Sequence, residues 1–196
     1  MQDLDQALDD IARVRGQLAA SSRFQGFAPG IVALTGLLAT WQSVGRDTGL
    51  SVWILLAAVS ALMIGTEAIV RARKLHRSMA GRLVSITLER FLPTAAAGAL
   101  AGMAVLLQAP EHARLLPGLW QLLMAVGLYA VLGNLPRQMV WAAVFYYAAG
   151  TASLLLSTHS DIATAWLMGL PFGVGQLLVA GILHFASAEN NHGRED

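Results

Sequence analysis

Six long apolar runs, separated by short polar segments, dominate this sequence of 196 residues. A helix that crosses a bilayer needs about 20 mostly apolar residues, and each run has close to that length. The runs are continuous instead of alternating, which fits helices and not the strands of a barrel. The sequence therefore predicts an all-α integral membrane protein, a bundle of six transmembrane helices. The predicted spans are Phe27–Val44, Leu50–Val70, Phe91–Leu107, Pro117–Leu135, Gln138–Leu156 and Ala163–Phe185.

Composition supports this class and limits what else the chain can hold. Charged residues make up 13% of the chain and apolar residues 56%, whereas a soluble domain has roughly 25% charged residues. Six spans use about 120 residues, so no room remains for a separate soluble domain. We expect one transmembrane domain over residues 25–187, followed by a short tail at 188–196.

The direction of the spans is set by residues 71–90, the predicted basic loop, which carry six of the thirteen Lys and Arg residues. Loops rich in Lys and Arg stay on the cytoplasmic side. Six spans then put both termini in the cytoplasm. The basic residues on that side number eleven, namely Arg13, Arg15, Arg23, the six of the basic loop, Arg137 and Arg194, and only Arg46 and Arg114 lie outside.

Two cytoplasmic segments are predicted to lie at the membrane surface. Residues 1–24 read as an amphipathic helix, with acids at its start and Arg13 and Arg15 toward its end, as the helix dipole favours. This helix either rests on the membrane or docks a partner. The basic loop also has helical spacing and is expected to bind anionic lipids. Its predicted lipid-binding residues are Arg71, Arg73, Lys74, Arg77 and Arg82.

Three dipeptides recur between the two halves of the chain. They are Pro29-Gly30 with Pro117-Gly118, Val52-Trp53 with Val140-Trp141, and Leu92-Pro93 with Leu170-Pro171. With three spans in each half, a duplication would be a 3+3 inverted repeat, an arrangement that many transporters use with the ligand site where the repeats meet. The alternative is that Pro and Trp favour helix ends and interfaces in any membrane protein.

Small residues indicate which spans pack closely. The spacing Gly-x3-Gly occurs at Gly26 and Gly30, at Gly98 and Gly102, and at Gly169 and Gly173. Such pairs let two helix backbones approach. We therefore expect the third and sixth spans at the centre of the bundle. Contact between two copies of the chain through the same glycines is the alternative, so a homo-oligomer stays open.

Polar residues in the middle of the spans are the best indicators of a site, because each is costly in lipid. Gln176 lies near the middle of the sixth span, and Tyr146 and Tyr147 lie near the middle of the fifth. Antiparallel neighbours bring these midpoints together. Gln176 then either bonds to a tyrosine as a contact between helices or, with both tyrosines, binds a ligand.

Three further polar residues reach one depth near the cytoplasmic end. Glu67, Asn134 and His184 lie near the ends of three different spans. They either line a pocket that opens to the cytoplasm or are each solvated at the interface. Glu67 also stands four residues before Arg71, which favours an ion pair within the helix.

Several chemistries find no support. The five His residues are scattered over both membrane sides, so no paired metal ligands are expected. The chain has no cysteine and no zinc-protease, nucleophile-elbow or phosphate-loop motif. The basic loop lacks interleaved aromatic residues and lies beside anionic lipid. We therefore expect no enzyme, no cofactor, no metal and no nucleic acid.

Two short stretches, SSRFQGFAPG at 21–30 and LPGLW at 116–120, resemble a family of small bacterial six-helix proteins of unknown function. The resemblance implies a bacterial inner-membrane location and transfers no site residues. The sequence thus predicts a protein that binds or transports a small apolar or amphipathic molecule within its bundle. The alternative is a sensor or partner-binding subunit that does not transport and uses the N-terminal helix and basic loop as its cytoplasmic face.

Overall fold

The computed structural model describes residues 28–44, 49–74, 79–157 and 164–192, with side chains at all of these positions except 71, 72, 74, 79–83, 164 and 187–192. Six α-helices make up nearly all of this part of the chain, which contains no strand. The helices are α1 (Pro29–Val44), α2 (Leu50–Lys74), α3 (Met79–Gln108), α4 (Leu116–Val131), α5 (Met139–Ser157) and α6 (Thr164–His192). Two 3₁₀ segments, Pro110–Leu115 and Leu132–Asn134, flank α4.

Five of these helical segments are long and apolar enough to cross a membrane. They belong to α2, α3, α4 with its flanking 3₁₀ segments, α5 and α6. Exposed aromatic side chains lie near the helix ends, with Trp41 and Trp166 at one end of the bundle and Tyr129 and Trp141 at the other. Such aromatic belts are typical of the two membrane interfaces. The chain is therefore an all-helical protein with the character of a multi-pass membrane protein.

The predicted basic loop is much shorter than the sequence suggested. Helix α2 continues to Lys74 and α3 begins at Met79, so only residues 75–78 lie between them, and these are outside the described part. The prediction that this segment is helical is right for residues 71–74 and 79–90, but these belong to extensions of the spans. Similarly, α6 continues through the predicted tail to His192. The predicted N-terminal helix at 1–24 lies outside the described residues.

Consecutive helices are antiparallel. We call the end of the bundle that holds the start of α1 and the end of α2 the basic end, and the opposite end the far end. The most extensive packing joins α1 to α6, and the next most extensive joins α4 to α5. Among residues of the apolar segments, 44% are buried in α4 and in α6, against 11% in α2 and in α3. The expectation that α6 is central is confirmed, but α3 is peripheral and α4 takes its place.

Small residues produce the close contact of α1 with α6. A Cβ added at Gly36 would lie 2.9 Å from the Cβ of Gln176 and 3.0 Å from the carbonyl oxygen of Gly173. One added at Gly173 would strike the hydroxyl of Thr40. The hydroxyl of Thr40 donates to the carbonyl of Gly36 at 2.9 Å, so it needs no partner from another helix. Backbone therefore packs on backbone at this interface, as the Gly169 and Gly173 spacing predicts.

A second close contact, between α4 and α5, is not marked by a Gly-x3-Gly spacing. A Cβ at Gly118 would lie 2.8 Å from the carbonyl of Gly150, and one at Gly150 would lie 3.0 Å from the carbonyl of Gly118. The predicted pair Gly98 and Gly102 serves another purpose, since the ring of Trp120 from α4 packs on both glycines. The indole N–H of Trp120 donates to the carbonyl of Gly98 at 2.9 Å.

Candidate functional site

The most deeply buried polar group in the bundle is the side chain of Gln121 on α4, which has no exposed surface. Its amide nitrogen donates to the carbonyl oxygen of Leu167 on α6 at 2.7 Å. Its amide oxygen accepts from the hydroxyl of Ser153 on α5 at 3.2 Å. These bonds join three helices through one side chain.

The Leu167 carbonyl needs this partner because of Pro171. In an α-helix a carbonyl accepts from the N–H four residues later, and Pro171 has no N–H. An unpaired carbonyl in an apolar interior is costly, and neighbouring helices commonly supply the missing donor in membrane proteins. Gln121 supplies it here. The sequence analysis did not single out Gln121 or Ser153, although a proline inside the sixth span signals the need for a donor.

The structure brings Gln176 beside one tyrosine, Tyr146. Tyr146 is fully buried, and the side chain of Gln176 lies close to its hydroxyl. The same hydroxyl lies 3.5 Å from the carbonyl oxygen of Phe172, and its ring fills the space left by Gly175. Gln176 is half-buried and faces Gly36 of α1. Its amide therefore lies inside the bundle, where α1, α5 and α6 meet.

Tyr147 does not take part in this group. Successive helix residues point about 100° apart, and Tyr147 is 39% exposed whereas Tyr146 is enclosed. The prediction that both tyrosines lie beside Gln176 is therefore wrong for Tyr147. The cause is helical phase, which places only one of two adjacent residues on the inner face.

Glu67 joins α2 to the start of α1. The backbone N–H of Ala28, just before the first residue of α1, donates to a carboxylate oxygen of Glu67 at 3.1 Å. A carboxylate at this position satisfies a free helix N–H and favours the positive end of the helix dipole. The predicted partner within the helix, Arg71, has a side chain outside the described set. Glu67 thus has a structural role that the sequence analysis did not include.

The other two residues predicted at this depth differ from each other. His184 is exposed on α6, where its ring packs edge-on against Phe185. The predicted pocket of Glu67, Asn134 and His184 therefore does not include His184. Asn134 is half-buried at the end of the 3₁₀ segment after α4, and its amide nitrogen is buried without a hydrogen-bond partner. A buried donor of this kind is available to a bound molecule.

The inner face of α2 is enclosed at its two ends and half-covered between them. Trp53 is 3% exposed near the far end, and Ala68 is fully buried near the basic end. Between them, the residues at helical spacing on the same face are half-buried. They are Leu56, Ser60, Met63 and Ile64. The remaining helices therefore cover the middle of this face incompletely. We call the four half-buried residues, together with Trp53 and Ala68, the α2 stripe.

Trp53 carries the second unpaired buried donor among the described side chains. Its indole N–H is buried and has no hydrogen-bond acceptor. The ring belongs to an apolar cluster at the far end, formed by residues of α1, α2, α4 and α6. The cluster contains Ala39, Leu50, Trp53, Leu56, Trp120, Ala165, Met168 and Phe172.

The predicted lipid-binding residues fall mostly outside what the structure describes. Arg73 near the end of α2 is exposed. The side chains of Arg71, Lys74 and Arg82, and all of Arg77, are outside the described set. Among the described residues, no three His, Asp or Glu side chains come together as a metal site would require.

No protein-family model, curated protein or solved structure matches this chain. A functional proposal therefore rests on the geometry of the helices and their polar groups.

Proposed function

We propose that this protein crosses a bacterial inner membrane six times, with both termini in the cytoplasm, and binds or transports a small apolar or amphipathic molecule within its bundle. Five helical segments have the length and composition for crossing. Helix α1, with 16 residues, rises about 24 Å. A helix shorter than the hydrocarbon core is accommodated by local thinning of the bilayer. Its packing against α6 places it within the bundle.

The charge distribution supports this orientation. Arg73 lies at the basic end of α2, Arg137 just before α5 at the same end, and Arg90 in the basic half of α3, whereas Arg114 lies just before α4 at the far end. The basic end is then cytoplasmic by the positive-inside rule. Anionic lipids are the proposed partners of the basic residues at this end.

Helix lengths support the proposed 3+3 inverted repeat. Helices α1, α2 and α3 have 16, 25 and 30 residues, and α4, α5 and α6 have 16, 19 and 29. Pro93 and Pro171 lie inside the third helix of each half. The two halves differ at the matched tryptophans of the second helix in each half, because Trp53 is buried and Trp141 is exposed. If the halves are related, they have diverged at the α2 stripe.

The observation that carries the proposal is the half-covered middle of the α2 stripe. A bundle without a ligand is expected to close its core to near-crystalline packing density. Here two enclosed ends bound a stretch of about four turns in which the inward side chains retain exposed surface. Ligand sites in helical bundles lie between helices and are mostly apolar. This stretch has that character.

The chemistry of the interior limits what can bind there. No charged side chain is among the buried residues of the described part of the chain, so a charged molecule would lose its hydration without gaining a counter-ion. The neutral donors and acceptors nearby are few. The Tyr146 hydroxyl lies close to Gln176 and 3.5 Å from the carbonyl of Phe172, and Asn134 retains a buried donor. An uncharged or amphipathic molecule with an apolar body fits these conditions.

We expect a bulky residue in the middle of the α2 stripe to exclude the bound molecule. Ser60 is half-buried on this face, and Ala61 beside it is exposed on the outer face. Protein purified in a mild detergent is extracted, and small molecules that co-purify are quantified by mass spectrometry per mole of protein. Ser60→Phe should reduce the bound molecule about tenfold, since overpacking a filled space costs roughly 1–3 kcal/mol.

Ala61→Phe is the matched control, because it adds the same ring on the lipid-facing side of the same helix. Equal occupancy in wild-type protein and Ser60→Phe would contradict the proposed site. Wild-type protein that carries no small molecule would favour the alternative, a membrane sensor or partner-binding subunit. That alternative depends on residues 1–24 and on the basic loop, most of which lie outside the described part of the chain.

A further inference from the structure

The indole of Trp53 is enclosed but its N–H is unpaired. Only 3% of the residue is exposed, and the N–H finds no acceptor among the described residues. Buried Trp N–H groups ordinarily have a hydrogen-bond partner. A residue in this position therefore needs an explanation beyond apolar packing.

Trp120 shows that this fold can supply a hydrogen-bond acceptor to an indole N–H from within the protein. Trp120 belongs to the same apolar cluster as Trp53, and its N–H donates to the carbonyl of Gly98 at 2.9 Å. Gly98 and Gly102 of α3 leave room for the ring of Trp120 to come close enough to reach that carbonyl. The N–H of Trp53 has no such acceptor, although its ring packs closely on Gly169.

The surroundings of Trp53 define the chemistry of a partner. The cluster around it is formed by aliphatic, aromatic and methionine side chains without charge. The stripe of half-covered residues begins at Leu56, one turn after Trp53. From Trp53 to Ala68 the helix rises about 22 Å. A molecule that lies along α2 is therefore elongated and apolar. At the far end of the bundle this molecule meets the N–H donor of Trp53.

We propose that Trp53 is a ligand-binding residue and that its N–H donates to an oxygen of an uncharged, lipid-like molecule lying along the α2 stripe. An ester or ketone carbonyl provides such an acceptor without a charge. This inference rests on the proposed function and specifies its ligand class. It adds a binding residue near the far end to the neutral polar groups nearer the basic end.

The first test compares Trp53→Phe with Trp120→Phe in purified protein freed of lipid. Both changes remove the same atoms. Trp53 is buried and Trp120 is half-buried, so lost packing alone would make Trp53→Phe the more costly change. We expect Trp120→Phe to lower the melting temperature more, because it leaves Gly98 without its donor, while Trp53→Phe removes a donor that has no protein partner. Equal losses would indicate that the N–H of Trp53 is already satisfied, for example by water, and would overturn the inference.

The second test measures binding of dioctanoylglycerol, which is uncharged and has ester carbonyls, and of hexadecane, which has no acceptor. We expect wild-type protein to bind dioctanoylglycerol more tightly. Trp53→Phe should weaken that binding about fivefold, as the loss of one hydrogen bond predicts, and leave hexadecane binding unchanged. Trp41→Phe, at an exposed position, is the control and should bind both molecules as wild type does.

The outcomes separate this inference from the proposed function. If wild-type protein and Trp53→Phe each bind dioctanoylglycerol and hexadecane equally well, the apolar site remains supported. The proposed role of Trp53 is then overturned. Binding of neither molecule by wild-type protein would overturn both proposals. Tighter binding of dioctanoyl phosphatidic acid than of dioctanoylglycerol would overturn the uncharged ligand class.

Discussion

The carbonyl of Leu167 shows how one residue in α6 determines the role of another in α4. Pro171 cannot donate to this carbonyl, and the amide of Gln121 reaches it at 2.7 Å. Ser153 completes the group by donating to the same glutamine. Ser153 also lies 3.4 Å from the Leu167 carbonyl. All three groups are buried, so the loss of one member removes hydrogen bonds in an apolar interior.

We predict that Gln121→Leu destabilises the protein more than Gln176→Leu. Removing Gln121 takes the amide donor from the Leu167 carbonyl and leaves it only the Ser153 hydroxyl at 3.4 Å, a loss of about 1–3 kcal/mol. Removing Gln176 leaves Tyr146 near the carbonyl of Phe172, and such bonds between membrane helices average about 0.6 kcal/mol. Unfolding of the purified proteins in mixed micelles measures both values.

A rescue variant tests the cause. Pro171→Ala restores the N–H that Leu167 would use within α6, so Gln121→Leu with Pro171→Ala should be more stable than the sum of the two single changes predicts. Strict additivity would contradict this account of Gln121.

Sequence reasoning found one of the two interior polar groups, for a physical reason. Gln176 and Tyr146 could be paired because they lie at the middle of spans that are neighbours in sequence. Gln121 answers a need created by Pro171, 50 residues later in a span that is not its neighbour in sequence. Tyr147 was predicted to border the site of Gln176, and His184 either to line a pocket or to be solvated at the interface. Lipid and protein interior are both apolar, so hydropathy does not distinguish the faces of these helices.

At the scale of the helices, glycine determines which pairs approach closely. Gly173 meets Thr40 and Gly36 of α1, whereas Gly181, two turns later on α6, has nothing within 4 Å of its added Cβ. On α3, the alanines 95–97 and Ala99 are exposed. Only the glycines of that run face α4.

We predict opposite effects of alanine at two glycines of α6. Gly173→Ala should destabilise the protein by about 1–3 kcal/mol, because the new methyl group forces α1 away. Gly181→Ala should be neutral or stabilising by up to about 1 kcal/mol, because alanine favours a helix where space is open. Melting temperatures of the two purified variants measure the difference, and equal melting temperatures would show that α1 does not pack on Gly173.

Helix boundaries were predicted less well than helix order. Apolar runs end where lipid ends, but a helix continues as long as its backbone bonds are favourable. Helix α3 therefore starts at Met79, twelve residues before the predicted span at Phe91. Pro29 at the start of α1 and Pro117 at the start of α4 were clearer signals, since proline is favoured in the first helical turn.

At the scale of the whole molecule, the number and order of helices followed from the apolar runs, but their arrangement did not. The small residues of the third span suggested a central helix, yet α3 is buried as little as α2. Which helix lies at the centre depends on contacts among all six. The glycine pair Gly118 and Gly150, which joins α4 to α5, appears only when both helices are considered together.

We predict that single cysteines at Ser78 and Thr158 label from opposite sides of the membrane. The chain has no cysteine of its own, so each variant reports one position. The eleven basic residues assigned to one side place Ser78 in the cytoplasm and Thr158 outside. Labelling of intact cells with a maleimide that cannot cross the membrane should modify only the cysteine at Thr158, and modification at Ser78 would reverse the topology.

The packing of α1 on α6 has a consequence for how the protein is made. These are the first and last helices of the bundle, and their glycines contact each other across 137 residues of sequence, from Gly36 to Gly173. During synthesis α1 enters the membrane long before its main partner exists. It is as short as α4, at 16 residues, and carries Thr35, Thr40 and Ser43 on its buried side. The emergence of α6, and not the insertion of α1, is therefore the step at which this pair of helices can close.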